Sequence, residues 1–415
     1  MIGNHATIDG EVSEDSPHKT DYEGDIVARY EDPTGHANGI KAPGGTIFRV
    51  SLKGGKPERF AGGLRNAYDL AFDQWGNLFT YDSDMEADEG TTWYHPTRIM
   101  HVVAGGEYGW RSGWAKWPSY WHDGLPPVAK TGRGSPTGIV VYDHFMYPEK
   151  FLHDLLVADW TNGRILHVDM EAKGASFSGK SDTLLQGEPL TISDVAIGPD
   201  GWLYFVTGGR DTAGAVYRLV YTGETPKPAS RIGEGVAAAI RYPQFQAAWS
   251  RQEIAKIKHA EADRWDAVLP AIARTEKNSS RFRTRALDLM HLYGPPLSEE
   301  LLLNISKDKD ATVRAKAIEL MGWRTKPAYE NRLIESLSDE DAGVRRVACE
   351  AIVRAKVTPK LEDLSPLLVS SNRFESFAAR RVLETLPVDA WQESVLTTDK
   401  QRLFIQGGTA LVLTR

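Results

Sequence analysis

The chain has 415 residues, of which 25% are charged, 41% hydrophobic and 10% aromatic, a composition typical of soluble globular proteins with two or more domains. Its formal net charge of -7 argues against a nucleic-acid partner, which requires a basic surface. No apolar run approaches the roughly 20 residues of a membrane span. The single cysteine, Cys349, excludes an intrachain disulfide, a C-x-x-C-H haem attachment and every cysteine-based zinc site.

Residues 1–222 are predicted to form short strands, because apolar residues alternate and glycine and aromatic residues recur. One pattern of apolar, apolar, basic and apolar residues occurs four times, as IFRV (47–50), IMHV (99–102), ILHV (165–168) and VYRL (216–219). Two longer matching segments, at 69–84 and 194–209, lie 125 residues apart. This spacing is close to three units of about 42 residues, the length of a four-stranded propeller blade. We therefore predict an all-β propeller part of about four blades.

The second half is predicted to be all-α. A Pro-containing polar segment, 223–231, is predicted as a linker, and helical periodicity extends over 232–415. Four similar segments begin, at spacings of 31, 31 and 30 residues, at Phe282, Val313, Val344 and Phe374. This period predicts a solenoid similar to HEAT repeats, with these four side chains buried between repeats and the arginine and glutamate positions facing water. Such an array is typical of a scaffold or of a docking surface for a protein partner.

The acidic segment TYDSDMEADEGTTWY (80–94) raises the question of a bound cation. Its carboxylates are spaced as at the start of an EF-hand loop, but Ala87 stands at the required glycine and Trp93 at the required glutamate. Calcium also accepts irregular oxygen ligands, so the candidate metal ligands are Asp82, Asp84 and Glu86. The alternative is a solvated loop balanced by Arg65, Arg98 or Arg111. Without a cation, mutual repulsion is expected to raise the pKa of at least one of these carboxyl groups.

A cluster of aromatic residues follows, in YGWRSGWAKWPSYW (108–121). The side chains of Trp110, Trp114 and Trp117 are candidates for stacking on sugar rings, whose C–H faces pack on flat aromatic surfaces. The alternative is a loop that fills the top of the propeller with its own apolar side chains. The repeated strand positions are expected to be structural; they are Arg49, His101, His167 and Arg218.

Five segments, in one order, resemble the glucose/sorbosone dehydrogenase family of pyrroloquinoline-quinone (PQQ) propellers. They are GLRNAYDLAFDQWGNLFTYDSDME, PTRIMHVVAGGEYGWRSG, GSPTGIVVYDHFMYPEKF, LLVADWTNGRI and ISDVAIGPDGWLYFVTGG. The domain order is similar to that of a bacterial branch of membrane-bound dehydrogenases, in which HEAT-like repeats and often a cytochrome c domain follow the propeller. The resemblance covers most of residues 1–222. It implies PQQ-dependent oxidation of a sugar or polyol, a cytochrome c electron acceptor in the parent protein, and a periplasmic or extracellular location.

The resemblance also implies roles for individual residues. Arg65 and Asn66 match the pair at the family's cofactor face, where arginine contacts a quinone oxygen or a carboxylate and asparagine donates a hydrogen bond. Asp82 and Asp84 match the loop that contacts calcium, which there polarises the quinone as a Lewis acid. Glu86, in the same loop, completes the predicted metal ligands.

The sequence departs from the family at several positions. The residues Thr161, Thr191 and Ser193 stand where basic residues are expected to contact the PQQ carboxylates, and Arg210 is the nearest candidate to replace them. The family's catalytic histidine lies in a blade that would precede residue 1, and His5 is not its equivalent, so no catalytic residue is assigned. The first ten residues also lack the basic and apolar regions of a secretory signal. We therefore expect this chain to be a fragment of a longer protein.

Two functions of other classes stay open beside a dehydrogenase. One is a non-catalytic propeller that binds carbohydrate or protein, with the helical repeats as a docking arm. The other is a pure scaffold. The polar groups around Arg65 in the folded chain are the feature that separates these possibilities.

Overall fold

The computed structural model describes residues 45–111 and 117–414, together with Ser13, Ser16 and Pro17. Within these residues, strands occupy the first half and helices the second, which confirms the predicted succession of an all-β part and an all-α part. His5 and Trp114 lie outside the described residues. The strands, in chain order, are β1 (Gly45–Arg49), β2 (Glu58–Leu64), β3 (Leu70–Phe72), β4 (Leu78–Asp82), β5 (Thr97–Val102), β6 (Gly106–Glu107), β7 (Ala129–Gly132), β8 (Pro136–Val141), β9 (Leu155–Asp159), β10 (Arg164–Lys173), β11 (Ser176–Gln186), β12 (Ile192–Ile197), β13 (Leu203–Gly209) and β14 (Thr212–Leu219).

These strands form four sheets, ordered β1-β2-β6, β3-β4-β5-β7, β8-β9-β10-β11 and β12-β13-β14. The first strands of three successive sheets, β3, β8 and β12, contact one another in turn. One carboxylate joins two of these sheets, because Asp69 Oδ2 accepts the backbone N–H of Ile139 at 3.0 Å. The described strands pair antiparallel except at one place, where β6 pairs parallel with β2. The chain returns from the second sheet to the first by a crossover connection, which permits parallel pairing where a hairpin does not.

The repeated segments of the sequence occupy equivalent places. The four-residue pattern lies on β1, β5, β10 and β14, and the last three are each the third strand of a sheet. The longer pair forms β3–turn–β4 and β12–turn–β13, with Gly76 and Gly201 at positive φ (96° and 81°) in the turns. Glycine adopts this backbone conformation without the strain that a Cβ introduces. Basic residues of the pattern pair inside the β part, as His101 Nδ1 with Ser176 Oγ at 2.9 Å and His167 Nε2 with Asp154 Oδ2 at 2.7 Å.

The second half is helical from Pro228 onward, so the first helix begins inside the segment predicted as a linker. No helix in the described part of the chain has both the length and the apolar character needed to cross a bilayer. The helices are α1 (Pro228–Ile232), α2 (Gly235–Arg241), α3 (Ala248–Ala260), α4 (Ala262–Arg274), α5 (Ser280–Tyr293), α6 (Glu299–Ile305), α7 (Ala311–Gly322), α8 (Pro327–Glu335), α9 (Ala342–Ala355), α10 (Leu361–Leu368), α11 (Arg373–Leu383), α12 (Gln392–Leu396) and α13 (Gln401–Leu413).

Polar caps set the period of the helical repeat. The residue immediately before each of α5, α7, α9 and α11 accepts backbone N–H groups of that helix's first turn. These capping residues follow one another every 31 residues and are Ser279, Asp310, Asp341 and Asn372. Val313 and Val344, three residues after their caps, are fully buried, and Phe282 is half-buried. Phe374 lies only two residues after its cap, so the predicted register of the fourth repeat is off by one.

Phe374 departs from the repeat pattern because it packs on the sheets. Together with Phe377 it lies in a hydrophobic core that includes Ile47, Leu78 and Met100 of the β part. Its ring also stacks on His101, with ring centroids 5.7 Å apart. One side of the helical array therefore packs on the sheets of the same chain.

Arginines of the helices reach into the sheets, which corrects the prediction that arginine positions face water. The arginines with such contacts are Arg281, Arg285, Arg346, Arg354, Arg373, Arg380 and Arg381. Arg346 Nε donates to the carbonyl of Ala175 at 2.8 Å, and Arg380 pairs with Asp123. The helical half is thus fastened to the β half by charged hydrogen bonds as well as by apolar packing.

A second set of arginines joins one repeat to the next. Arg283 pairs with Asp308, and Arg314 Nη2 lies 2.7 Å from Asp339 Oδ1, all four side chains being buried. Both arginines occupy the position that follows the repeated apolar residue, and both carboxylates lie in the turn before the next repeat. Because the same pair recurs 31 residues later, it fixes the stacking of consecutive repeats.

Candidate functional site

The residues that resemble a cofactor face lie together where two sheets meet. We call Arg65, Asn66, Asp82, Asp84 and Glu86 the Arg65 cluster. The first two follow the end of β2 in one sheet, and Asp82 is the last residue of β4 in the next. Asp82 connects them by accepting the backbone N–H of Arg65 at 3.0 Å and that of Asn66 at 2.8 Å. The turn that carries the predicted cofactor residues is therefore anchored to the neighbouring sheet.

Asp82 is fully buried, and its carboxylate accepts hydrogen bonds from three protein donors. Oδ1 accepts the N–H groups of Arg65 and Asn66, while Oδ2 accepts the N–H of Arg65 and Arg98 Nη2 at 3.1 Å. Two carboxylate oxygens accept about four hydrogen bonds in total. The N–H of Arg65 is shared between both oxygens, so three donors occupy the carboxylate; Asp82 has a structural role, and its calcium contact stays a prediction.

The guanidinium of Arg65 is buried and only partly paired. Its Nη1 donates to Ser83 Oγ at 2.8 Å, and Nη2 lies 3.8 Å from Glu86 Oε2. Its Nε has no hydrogen-bond partner among the described residues. A buried donor without a partner costs about 1–3 kcal/mol, so this atom is a place where a ligand acceptor would be favourable.

Asp84 has a buried acceptor without a partner among the described residues, which complements the unpaired donor of Arg65. Its Oδ2 accepts the phenol of Tyr94 at 2.7 Å, while its buried Oδ1 has no hydrogen-bond partner in the described chain. Burial is the main cause that raises the pKa of Asp84; the Tyr94 hydrogen bond lowers it, and the charge of Glu86 raises it. The sequence correctly predicted a raised pKa in this segment, but the principal cause is loss of water and not repulsion.

Glu86 is the third predicted metal ligand. Its side chain is exposed and lies next to Arg65. Nowhere in the described residues do three histidine, cysteine, aspartate or glutamate side chains come together as a metal-binding group. Calcium contacts at Asp82, Asp84 and Glu86 stay a prediction.

The two described tryptophans of the predicted aromatic platform are interior. Trp110 is 1% exposed and Trp117 is 5% exposed. Guanidinium groups lie over both rings, Arg65 at 5.9 Å from the centroid of Trp110 and Arg111 at 4.3 Å from that of Trp117. In this conformation neither tryptophan presents a free face on which a sugar could stack.

The positions where basic residues were expected carry short hydroxyl side chains bonded to their neighbours. Thr161 donates to Ser135 Oγ at 2.7 Å, Thr191 pairs with Thr212 at 3.0 Å, and Ser193 donates to the carbonyl of Gly208 at 3.2 Å. Arg210, the proposed replacement, is exposed and lies over the ring of Trp160 at 5.2 Å. No described contact connects Arg210 to the Arg65 cluster.

The sequence did not predict a cavity between the sheets and the helices. This cavity, of about 400 Å³, lies between the β3–β5 and β10–β11 strands on one side and α7 and α9 on the other. Its charged side chains include Lys316 and Arg346, and the arginine was expected to face water. These two residues stand at different positions of the 31-residue repeat, so periodicity gave no signal for the cavity.

Comparisons with known proteins identify two kinds of likeness. Residues 298–384 match the family model of HEAT repeats, which agrees with the capped helical repeats described above. No curated protein matches the chain.

Several solved structures are similar to part of the chain. A glucose dehydrogenase is 20% identical, with a TM-score of 0.34 over 42% of this chain and 50% of that one. The PQQ-bound aldose sugar dehydrogenase of Streptomyces coelicolor is 22% identical, with a TM-score of 0.33 over 43% and 52% of the two chains. The soluble aldose sugar dehydrogenase of Escherichia coli is 19% identical, with a TM-score of 0.31 over 39% and 46%.

The chain thus spans about half of the length of these structures. Likeness at this level establishes neither the fold nor the activity of this chain. The propeller arrangement, the number of blades, the solenoid and the dehydrogenase activity are accordingly proposals. The described chain has a β part in four sheets, and a helical part with HEAT-type repeats packs closely against it.

Proposed function

We propose that the β half is the cofactor-side part of a PQQ-dependent dehydrogenase of the propeller type, which oxidises a sugar or polyol. Its four sheets are then four blades, and the helical half is a HEAT-like solenoid. The observation that carries the proposal is the Arg65 cluster, in which an anchored turn presents a buried arginine with an unpaired Nε beside Asn66. Anchoring by Asp82 limits the conformations of this turn, as a binding site requires.

Arg65 and Asn66 are the residues that would contact the cofactor. The planar guanidinium of Arg65 suits a quinone oxygen or a carboxylate, and the amide of Asn66 can donate to a second acceptor. Bound PQQ would accept the two electrons released when an alcohol carbon is oxidised. The residue that removes the hydroxyl proton is unassigned in this chain. Calcium at Asp82, Asp84 and Glu86, a periplasmic or extracellular location and a cytochrome c acceptor in the parent protein belong to the same proposal.

Sugar-dependent dye reduction tests the enzymatic part of the proposal. The purified chain is incubated with PQQ and calcium, then supplied with glucose or sorbitol and a reducible dye. We expect dye reduction that depends on sugar and is lost in Arg65→Met. The control Arg133→Met changes an exposed arginine paired with Glu89 and should leave the rate unchanged. Equal rates in both variants would show that Arg65 has no part in the reaction.

A second candidate is a non-catalytic propeller that binds carbohydrate or protein. It is favoured by the hydroxyl side chains at the three positions expected to be basic, since each is already hydrogen-bonded to a neighbour. In this case the surface of the repeats that faces away from the sheets is the docking surface for a partner, because the sheets cover the other side. Binding of PQQ without dye reduction would favour this function over the dehydrogenase.

A further inference from the structure

Two arginines share a single carboxylate at one end of the cavity between the two halves of the chain. Glu58 on β2 pairs with Arg49, its cross-strand neighbour on β1, and with Arg354 in the last turn of α9. Both guanidinium groups lie over the ring of Trp323, which follows α7, at 4.1 and 4.5 Å from its centroid. We call these four residues the Arg49 cluster. Arg49, Arg354 and Trp323 line the cavity, whereas none of the five described residues of the Arg65 cluster does.

Two guanidinium charges therefore face one carboxylate charge in the Arg49 cluster. Both arginines donate to the same oxygen, Glu58 Oε2, Arg49 through Nη2 and Arg354 through Nη1 at 3.0 Å. A guanidinium has five N–H donors, so most of the donors of both arginines have no partner among the described residues. The side chains of Arg49 and Arg354 are 32% and 18% exposed, so a ligand can reach these donors. Burial lowers the pKa of Arg354, and the charge of Arg49 lowers it further, as expected for two cations with too little compensating charge.

The excess of positive charge is confined to this end of the cavity. Lys316, in the middle of α7, lies 3.2 Å from Asp288 and 2.8 Å from Glu319, so carboxylates outnumber cations there. The other charged side chains of the wall add no positive excess; they are Arg346, its partner Glu350 and the α9 cap Asp341. A ligand with one negative group is therefore favoured over a ligand with two, because a second negative charge would lie among carboxylates.

Apolar side chains form the wall next to the arginines. Val347, Ala351 and Arg354 are spaced four and three residues apart on α9, so they lie on one face of the helix. Phe60, on the strand that carries Glu58, also lines the cavity. The volume of about 400 Å³ is within the range of small-molecule sites, which combine a mostly apolar wall with a few polar groups. This wall suits a ligand whose body is apolar.

We propose that the Arg49 cluster and the adjoining cavity bind a small organic monocarboxylate with an apolar body. The carboxylate would accept the N–H groups that Glu58 leaves free, since a guanidinium presents paired donors that match a carboxylate. The apolar body would pack against Val347 and Ala351. Because Arg49 belongs to the sheets and Arg354 to α9, an occupant would link the two halves of the chain. The proposal is independent of PQQ binding, since it uses no residue of the Arg65 cluster.

Isothermal titration calorimetry of the whole chain, without PQQ, tests this site. Benzoate and hexanoate are the monocarboxylate probes. Each has an uncharged amide, benzamide or hexanamide, and a dicarboxylate of similar length, terephthalate or adipate. We expect saturable binding of at least one monocarboxylate, and binding about tenfold or more weaker for its amide and its dicarboxylate. No saturable binding of either monocarboxylate up to about 10 mM, or equally tight binding of the matching amide or dicarboxylate, would overturn the proposal.

Two variants with opposite expected effects locate the site. Arg49→Met removes one guanidinium while Glu58 stays paired with Arg354, and it should weaken binding about tenfold or more. Glu58→Gln removes the carboxylate that competes with the ligand, and it should tighten binding about threefold or more. A loss of folding cannot imitate this second result. Unchanged or weaker binding by Glu58→Gln would contradict the proposal.

Arg218→Met is the matched control for Arg49→Met. Arg218 occupies the same position of the repeated strand pattern on β14, pairs with Asp200 and lies over the ring of Tyr204 at 5.9 Å. This variant should bind the monocarboxylate as wild type does, and equal binding by the Arg49 and Arg218 variants would refute the assignment. Loss of binding in Arg65→Met would place the monocarboxylate at the Arg65 cluster and would also overturn the proposal.

Discussion

Asp82 shows how one buried carboxylate organises the site. It accepts backbone N–H groups of Arg65 and Asn66 and pairs with buried Arg98. We predict that Asp82→Ala lowers the free energy of unfolding by about 3–5 kcal/mol, because Arg98 is left as an uncompensated buried charge. Glu86→Ala, at an exposed side chain, should change it by less than about 0.5 kcal/mol. Urea denaturation measures both, and a small effect of Asp82→Ala would contradict the anchoring role.

Because Asp73 is buried in the turn between β3 and β4, we predict that the stability of the protein depends on pH. It is buried, and burial raises its pKa to about 6, although hydrogen bonds from Asn77 and Trp75 oppose the shift. The folded state therefore binds the proton more tightly than the unfolded state, so this group lowers stability as the pH rises from about 4 to 6. The expected loss over this window is about 3 kcal/mol.

The comparison with Asp73→Asn isolates this effect. The variant lacks the contribution that titration of Asp73 makes to stability. The difference between its free energy of unfolding and that of wild type should therefore change between pH 4 and 6. Asp169→Asn, at an exposed position, is the matched control and should give a curve parallel to wild type. Parallel curves for all three proteins would show that Asp73 does not titrate in this range.

At the scale of residues, the sequence could locate the site better than it could describe its bonding. Motif similarity correctly predicted that Arg65, Asn66 and Asp82 lie close together, because the segments around them are distinctive. The hydrogen bonds of Asp82 could not be predicted, since its donors lie 16 and 17 residues away; Arg65 and Asn66 follow a strand of a different sheet, and Arg98 is on the neighbouring strand. The burial of Trp110 and Trp117 depends likewise on contacts that a list of aromatic residues does not contain.

The arginine pairs between repeats are the feature of the helical elements that can be tested most simply. Arg314→Leu should lower the free energy of unfolding by about 3–5 kcal/mol, because it leaves buried Asp339 without its cation. The double variant Arg314→Leu/Asp339→Leu should lose less than the sum of the two single variants. Arg264→Leu, at an exposed ion pair in α4, should be nearly neutral. Additive losses in the double variant would contradict direct coupling.

Periodicity in the sequence gave the elements and their order, since a repeat of 31 residues and a strand pattern are local features. The fourth repeat was misplaced by one residue because Phe374 is apolar for a different reason, its contact with the sheets. Parallel pairing of β6 with β2 was also beyond prediction, because a two-residue strand has no pattern of its own.

On the scale of the whole molecule, the two halves are expected to behave as one unit. Arg346 of α9 donates to the carbonyl of Ala175 in the turn between β10 and β11. We predict that Arg346→Met accelerates hydrogen exchange both in α9 and in this turn, because it removes a charged hydrogen bond between the halves. Arg402→Met, an exposed change within the helical half, is the control. Faster exchange confined to the helices would contradict the proposed coupling.

Equilibrium dialysis of the whole chain against PQQ in the presence of calcium tests most directly the proposal that the Arg65 cluster binds PQQ, because it needs neither substrate nor turnover. We expect saturable binding of one PQQ per chain, weakened about tenfold or more in Arg65→Met and unchanged in Arg133→Met. No saturable binding up to about 100 μM PQQ, or equal binding by the two variants, would contradict it.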